Sequence, residues 1–130
     1  MKGVTAMSKL DKYRGIIPAF YACYDKDGNI SPEAVQALTK YFVEKGVKGV
    51  YVNGSSGECI YQSVEDRKIV LENVMKAAEG KLTVIAHVAC NNTKDSRNLQ
   101  NMQRALGRCN RCNSSDLFPF TRVCNCQVLE

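Results

Sequence analysis

The sequence predicts an α/β fold in which strands and helices alternate along the chain. Three observations carry this. Apolar runs rich in β-branched and aromatic residues recur about every 35 residues, starting at Tyr13, Val47 and Leu82. Each run is followed by a segment of helical periodicity, opened by a capping residue and closed by glycine. The composition is that of a folded domain, 45% hydrophobic and 24% charged over 130 residues, which excludes a disordered chain. Strands with so few polar breaks, joined through helices, imply right-handed βαβ units around a parallel sheet. That sheet either stays open and doubly wound or closes into a (β/α)8 barrel. A barrel needs about 250 residues, roughly twice what is here.

The elements follow in order. Tyr13 to Tyr24 reads as a buried strand, and Asp25-Lys-Asp-Gly28 is turn chemistry. Ser31-Pro32-Glu33 opens a helix with an N-cap, a proline at the first helical position and an acid in the first turn. Its apolar face is Val35, Leu38, Tyr41, Phe42 and Val43, and Gly46 ends it. Val47 to Val52 is the second strand. Ser63-Val-Glu-Asp66 opens the second helix in the manner of a capping box. Ile69, Val70, Val74, Met75 and Ala78 line its inner face, and Gly80 ends it. Leu82 to Val88 is a third strand, buried on both faces. Asn92 or Thr93 caps a third helix that runs to about Leu106.

Several function classes are excluded or disfavoured. No run of about 18 apolar residues exists, so no membrane span is expected. The N-terminus lacks an apolar leader core, which points to the cytoplasm and to cysteines kept as thiols. A net charge of +5 is mild and does not by itself imply nucleic acid.

The candidate site is Gly54-Ser55-Ser56-Gly57-Glu58, after the second strand. In parallel α/β folds the functional side is the carboxyl end of the strands. Glycines let backbone N–H groups face a ligand, and two adjacent hydroxyls add donors, which suits a carboxylate or phosphate. The loop has neither the lysine of a Walker A motif nor the GxGxxG spacing.

The stretch from about Tyr13 to Leu99 resembles the pyruvate-dependent aldolases of the N-acetylneuraminate lyase and dihydrodipicolinate synthase family. The resemblance rests on the GSSGE loop, the helix start from Ser63 to Lys68, and the strand end VIAHV with the Asn-Thr that follows. It implies the first three βα units of a (β/α)8 TIM barrel, an intact enzyme that is a homotetramer, and pyruvate and sialic acid as ligands, with no cofactor or metal. It implies that Ser55 and Ser56 hold the pyruvate carboxylate, with Gly54, Gly57 and Glu58 supporting the loop. The family forms a Schiff base between a lysine and the keto carbon and uses a tyrosine to move the proton. Both groups belong to later strands of the barrel, so no catalytic residue is expected in this chain. Lyase is favoured over dihydrodipicolinate synthase by the GSSGE loop; another 2-oxo acid aldolase is the alternative.

Residues 100–130 differ in composition. They contain four arginines, no lysine and four of the seven cysteines, Cys109, Cys112, Cys124 and Cys126. The pattern C-x2-C-x11-C-x-C raises a zinc- or nucleic-acid-binding module as the reading from another class, although the second pair is too tight for a zinc knuckle. A shifted reading frame accounts for more. Codons written for residues 108–130 and read one base later give Asp-Ala-Ile-Ala-Ala-Ile-Pro-Pro-Ile-Tyr-Phe, a family-like fourth strand. The expected organisation is therefore a barrel portion over 1–107 and an out-of-frame tail over 108–130, irregular or disordered, in a chain prone to aggregate.

Four further expectations concern single residues. His87, the one histidine, is expected to line the barrel rather than act as a base. Cys23, Cys59 and Cys90 are expected to be inert thiols without a basic partner. Tyr51 and Tyr61 are expected to pack. Glu58 is expected to tie down its loop through backbone N–H groups.

Overall fold

A computed structural model describes residues 11–106. Helix α1 spans Pro32–Glu44, strand β1 Gly49–Val52, helix α2 Val64–Ala78, strand β2 Thr83–Ala86 and helix α3 Thr93–Ala105. Single 3-10 turns lie at Asp11–Tyr13 and Ser55–Gly57. Each α-helix starts where its capping chemistry requires. The Ser31 side chain accepts from the Ala34 N–H, and Pro32 follows at a position whose N–H has no helical partner. Ser63 and Asp66 form a full capping box, each side chain bonding the other's backbone. Asn92 accepts from the Asp95 N–H.

β1 and β2 pair in parallel, Gly49 opposite Thr83 through Val52 opposite Ala86. The segment read as a first strand, Tyr13 to Tyr24, does not form a continuous one. It makes a single rung with β1, Ala19 opposite Tyr51. Pro18 is the reason. The next rung back would need a donor at position 18, and proline has no N–H. The segment still lies along β1. Pro18 O accepts from the Tyr51 N–H (2.9 Å), Tyr51 O from the Phe20 N–H (2.8 Å) and Ile16 O from the Lys48 N–H (2.9 Å). The three parallel segments are thus adjacent in chain order, as in the TIM-barrel families, and the chain has an α/β fold of successive βα units.

The strands alternate faces. Val50, Val52, Val84 and Ala86 face the helices and pack with Phe20, Val35, Val70, Leu71 and Val74 in the core. Burying each of the larger aliphatics contributes about 1.5–3 kcal/mol. Tyr51 and Ile85 lie on the opposite face, which in a barrel is the interior. One expected packing position is corrected. Tyr41 is half exposed, and Thr39 is buried instead, its hydroxyl donating to Val35 O at 2.8 Å. That bond satisfies the polar group and lets it be buried. No helix among the described residues is long and apolar enough to cross a membrane. The expected tail, 108–130, with its four cysteines, lies outside the described residues.

Candidate functional site

The loop after β1 sits at the carboxyl end of the strand pair, and its two serines are exposed. Its backbone is held locally. Asn53 and Glu58 flank it, both in the left-handed region at φ 59° and 62°. Gly57 N–H donates to Gly54 O (2.9 Å), and Glu58 N–H to Ser55 O (3.0 Å). The two glycines are demanded by space. A Cβ at Gly57 would lie 2.6 Å from the Phe20 carbonyl oxygen, and one at Gly54 would lie 2.4 Å from the Tyr51 ring. Gln62 fastens the far end, its Nε2 donating to Gly57 O at 2.9 Å. Ser55 and Ser56 are therefore the polar tip of a turn whose shape is set beneath them.

Glu58 closes this turn through its backbone. Its carbonyl accepts from the Tyr61 N–H at 3.0 Å. Its carboxylate faces Tyr24 instead. The Gln62 hydrogen bond pulls the Tyr24 phenol down, but burial and the Glu58 carboxylate outweigh it and leave the phenol raised. Tyr61, expected to pack, is exposed, whereas Tyr51 tilts against His87 with ring centroids 6.2 Å apart.

Arg67 joins this turn to the end of β2. It is only 3% exposed. Its backbone carbonyl accepts from Asn53 Nδ2 (2.9 Å), immediately before the glycine–serine turn. Its guanidinium donates to His87 O (2.7 Å), Ala89 O (3.0 Å) and Cys90 Sγ (3.0 Å), and Nη2 lies 3.4 Å from His87 Nδ1. Burial, and then the Arg67 charge, hold the His87 imidazole below its usual value, against a backbone bond with Asn53 that raises it. The imidazole is thus neutral at neutral pH and serves as wall rather than as a charged ligand group. Among the described residues no group of three or more His, Cys, Asp or Glu side chains is placed to hold a metal ion.

The profile of the Dihydrodipicolinate synthetase family matches residues 12–111, most of the chain. The chain belongs to that family. Over 101 residues it is 82% identical to the N-acetylneuraminate lyase of Mediterraneibacter gnavus, covering 78% of this chain and 32% of that protein. An N-acetylneuraminate lyase of Rhizobium meliloti is 42% identical over 88 residues, 68% of this chain and 29% of that protein. Among solved structures, the wild-type Ruminococcus gnavus sialic acid aldolase superposes with a TM-score of 0.73 at 84% identity, over 75% of this chain and 32% of that one. The Mycoplasma synoviae N-acetylneuraminate lyase superposes with a TM-score of 0.72 at 33% identity, over 75% and 34%. The chain thus spans about one third of the length of the curated relatives it matches.

Within the family's fold, the structure places Ser55, Ser56, Gly54, Gly57 and Glu58 together at the expected strand end. The Arg67–His87–Cys90 cluster was not anticipated. Its members are 20 and 23 residues apart and meet only because α2 packs back over β2. A buried arginine inside a helix start gives no spacing signal.

Proposed function

We propose that this chain is the amino-terminal part of an N-acetylneuraminate lyase, a Schiff-base aldolase that cleaves sialic acid to N-acetylmannosamine and pyruvate. In this reading Ser55 and Ser56 donate to the carboxylate of the 2-oxo acid, and Gly54, Gly57 and Glu58 hold them there. The observation that supports it most directly is a pair of adjacent exposed hydroxyls on a sterically locked turn, in a chain 82% identical to such a lyase over its matched part. Two hydroxyls side by side satisfy both oxygens of a planar carboxylate, and charge-assisted bonds of this kind are the strong ones. The imine-forming lysine and the proton-moving tyrosine would come from later strands, so these 130 residues alone bind without catalysing. No cofactor enters the reaction, since the protonated imine is itself the electron sink. We place the assembled enzyme in the cytoplasm as a homotetramer. We also assign residues 1–107 to the barrel and 108–130 to an out-of-frame tail.

Two experiments test this. Borohydride trapping of the 130-residue chain with pyruvate, read by intact mass, is expected to leave it unmodified; a stoichiometric adduct would show an imine lysine within it. In a second experiment residues 12–106 replace their counterpart in the Ruminococcus gnavus aldolase. The hybrid is expected to cleave sialic acid. Ser55→Ala is expected to raise its KM for the 2-oxo acid roughly tenfold or more, the loss of one hydrogen bond to a charged group. An unchanged KM removes Ser55 from the carboxylate site.

A further inference from the structure

A cleft of about 370 Å³ opens between the start of α2 and the turn from β2 to α3. Arg67, His87, Cys59, Cys90 and Asp95 line it. Arg67 is the anomaly. A buried guanidinium is costly to desolvate unless an anion neutralises it. The ion pairs among the described residues, Arg14–Asp11, Lys68–Glu65 and Lys81–Glu79, do not include it. Its partners are two carbonyl oxygens, the neutral His87 and the Cys90 sulfur, and its Nε has no hydrogen-bond partner. The Asp95 carboxylate, the other charged group of the cleft, accepts from Asn92 Nδ2 (2.6 Å), and no ion pair joins it to Arg67.

On the cleft side this guanidinium meets a thiol, Cys90. Arg67 Nη1 lies 3.0 Å from its Sγ, far closer than the Sγ contacts with carbonyl oxygens, 3.7 Å at Cys23 and 3.9 Å at Cys90 itself. A thiolate, not a thiol, attacks carbon electrophiles, and cysteines beside arginine are the reactive ones. We propose that Cys90 is a covalent modification site: Arg67 holds its sulfur as a nucleophile, and the half-open cleft admits small soft electrophiles to it. With iodoacetamide the sulfur lone pair forms the S–C bond, iodide leaves with the C–I pair, and the thiol proton passes to water. Alkylation would also remove a bond by which Arg67 grips the β2 turn, so the modification reaches the loop end of the sheet. The proposal does not depend on the aldolase reading.

The molecule supplies its own controls. Cys23 and Cys90 are both half-buried free thiols, and burial pushes the Cys23 thiol up. Cys59 lines the same cleft but is buried. The test is limiting alkylation of the full chain with iodoacetamide near neutral pH, quantified for each cysteine by peptide mass spectrometry. Cys90 is expected to react roughly tenfold faster than Cys23, and the two rates to converge in 8 M urea, where the Arg67 contact is lost. Arg67→Gln is expected to bring Cys90 down to the Cys23 rate. Equal rates in the native chain would overturn the proposal, as would a preference that persists in urea. If Arg67→Gln fails to fold, the native and urea measurements decide the matter without it.

Discussion

Two turns leave the carboxyl ends of neighbouring parallel strands, and they are built differently. The turn after β1 supports itself. Its shape follows from two left-handed residues, two glycines pressed against Phe20 and Tyr51, and backbone bonds within five residues. The turn after β2, from His87 to Asn92, is held from outside. Arg67 takes the carbonyls of His87 and Ala89, and the Ser96 hydroxyl accepts from the Cys90 N–H at 2.9 Å. The first turn can present serines in a fixed geometry because its bonds are mostly its own, and the one from Asn53 Nδ2 goes to the Arg67 main chain rather than to a side chain. The second depends on side chains of other elements, Arg67 of α2 and Ser96 of α3, so it is the more easily released.

Three perturbations would sharpen or break this contrast. Arg67→Ala is expected to have the largest effect, about 2–4 kcal/mol, because it deletes several charge-assisted bonds inside a packed region. Urea unfolding would measure the loss. Amide exchange should show the Cys90 N–H released while the Gly57 and Glu58 amides keep their protection; equal loosening of both turns would erase the distinction. Gly57→Ala is expected to cost about 1–3 kcal/mol, since its Cβ meets a backbone carbonyl that cannot swing away. Here the damage should fall on the first turn alone, read as faster exchange at Glu58 with Cys90 unchanged.

The smallest effect concerns pH. His87 has a folded pKa below its unfolded value near 6.5. The unfolded chain therefore binds the proton more readily, and stability is full above about pH 6.5 and declines as pH falls toward the folded value. His87→Gln should flatten that part of the profile in urea melts at stepped pH. A slope that survives the substitution would assign it to another group.

Short-range features were legible in the sequence. Ser31-Pro32, Ser63 with Asp66, and Asn92 start helices because a side-chain oxygen within three residues can satisfy an exposed N–H, whatever the rest of the chain does. The GSSGE turn was legible as well: a polar stretch after an apolar run marks the strand end, and its glycines admit a close backbone turn there. Other features waited on the fold. Pro18 read as part of an apolar strand, and only the parallel register with β1 decides that its missing N–H removes a rung. Tyr41 and Thr39 lie on nearly opposite sides of α1, and only the packed fold decides that the side carrying Thr39 faces inward. Arg67 looked like one more charge at a helix start. Its burial beside Cys90 comes from the crossing of α2 over β2, because side chains 23 residues apart share no signal until packing brings them together.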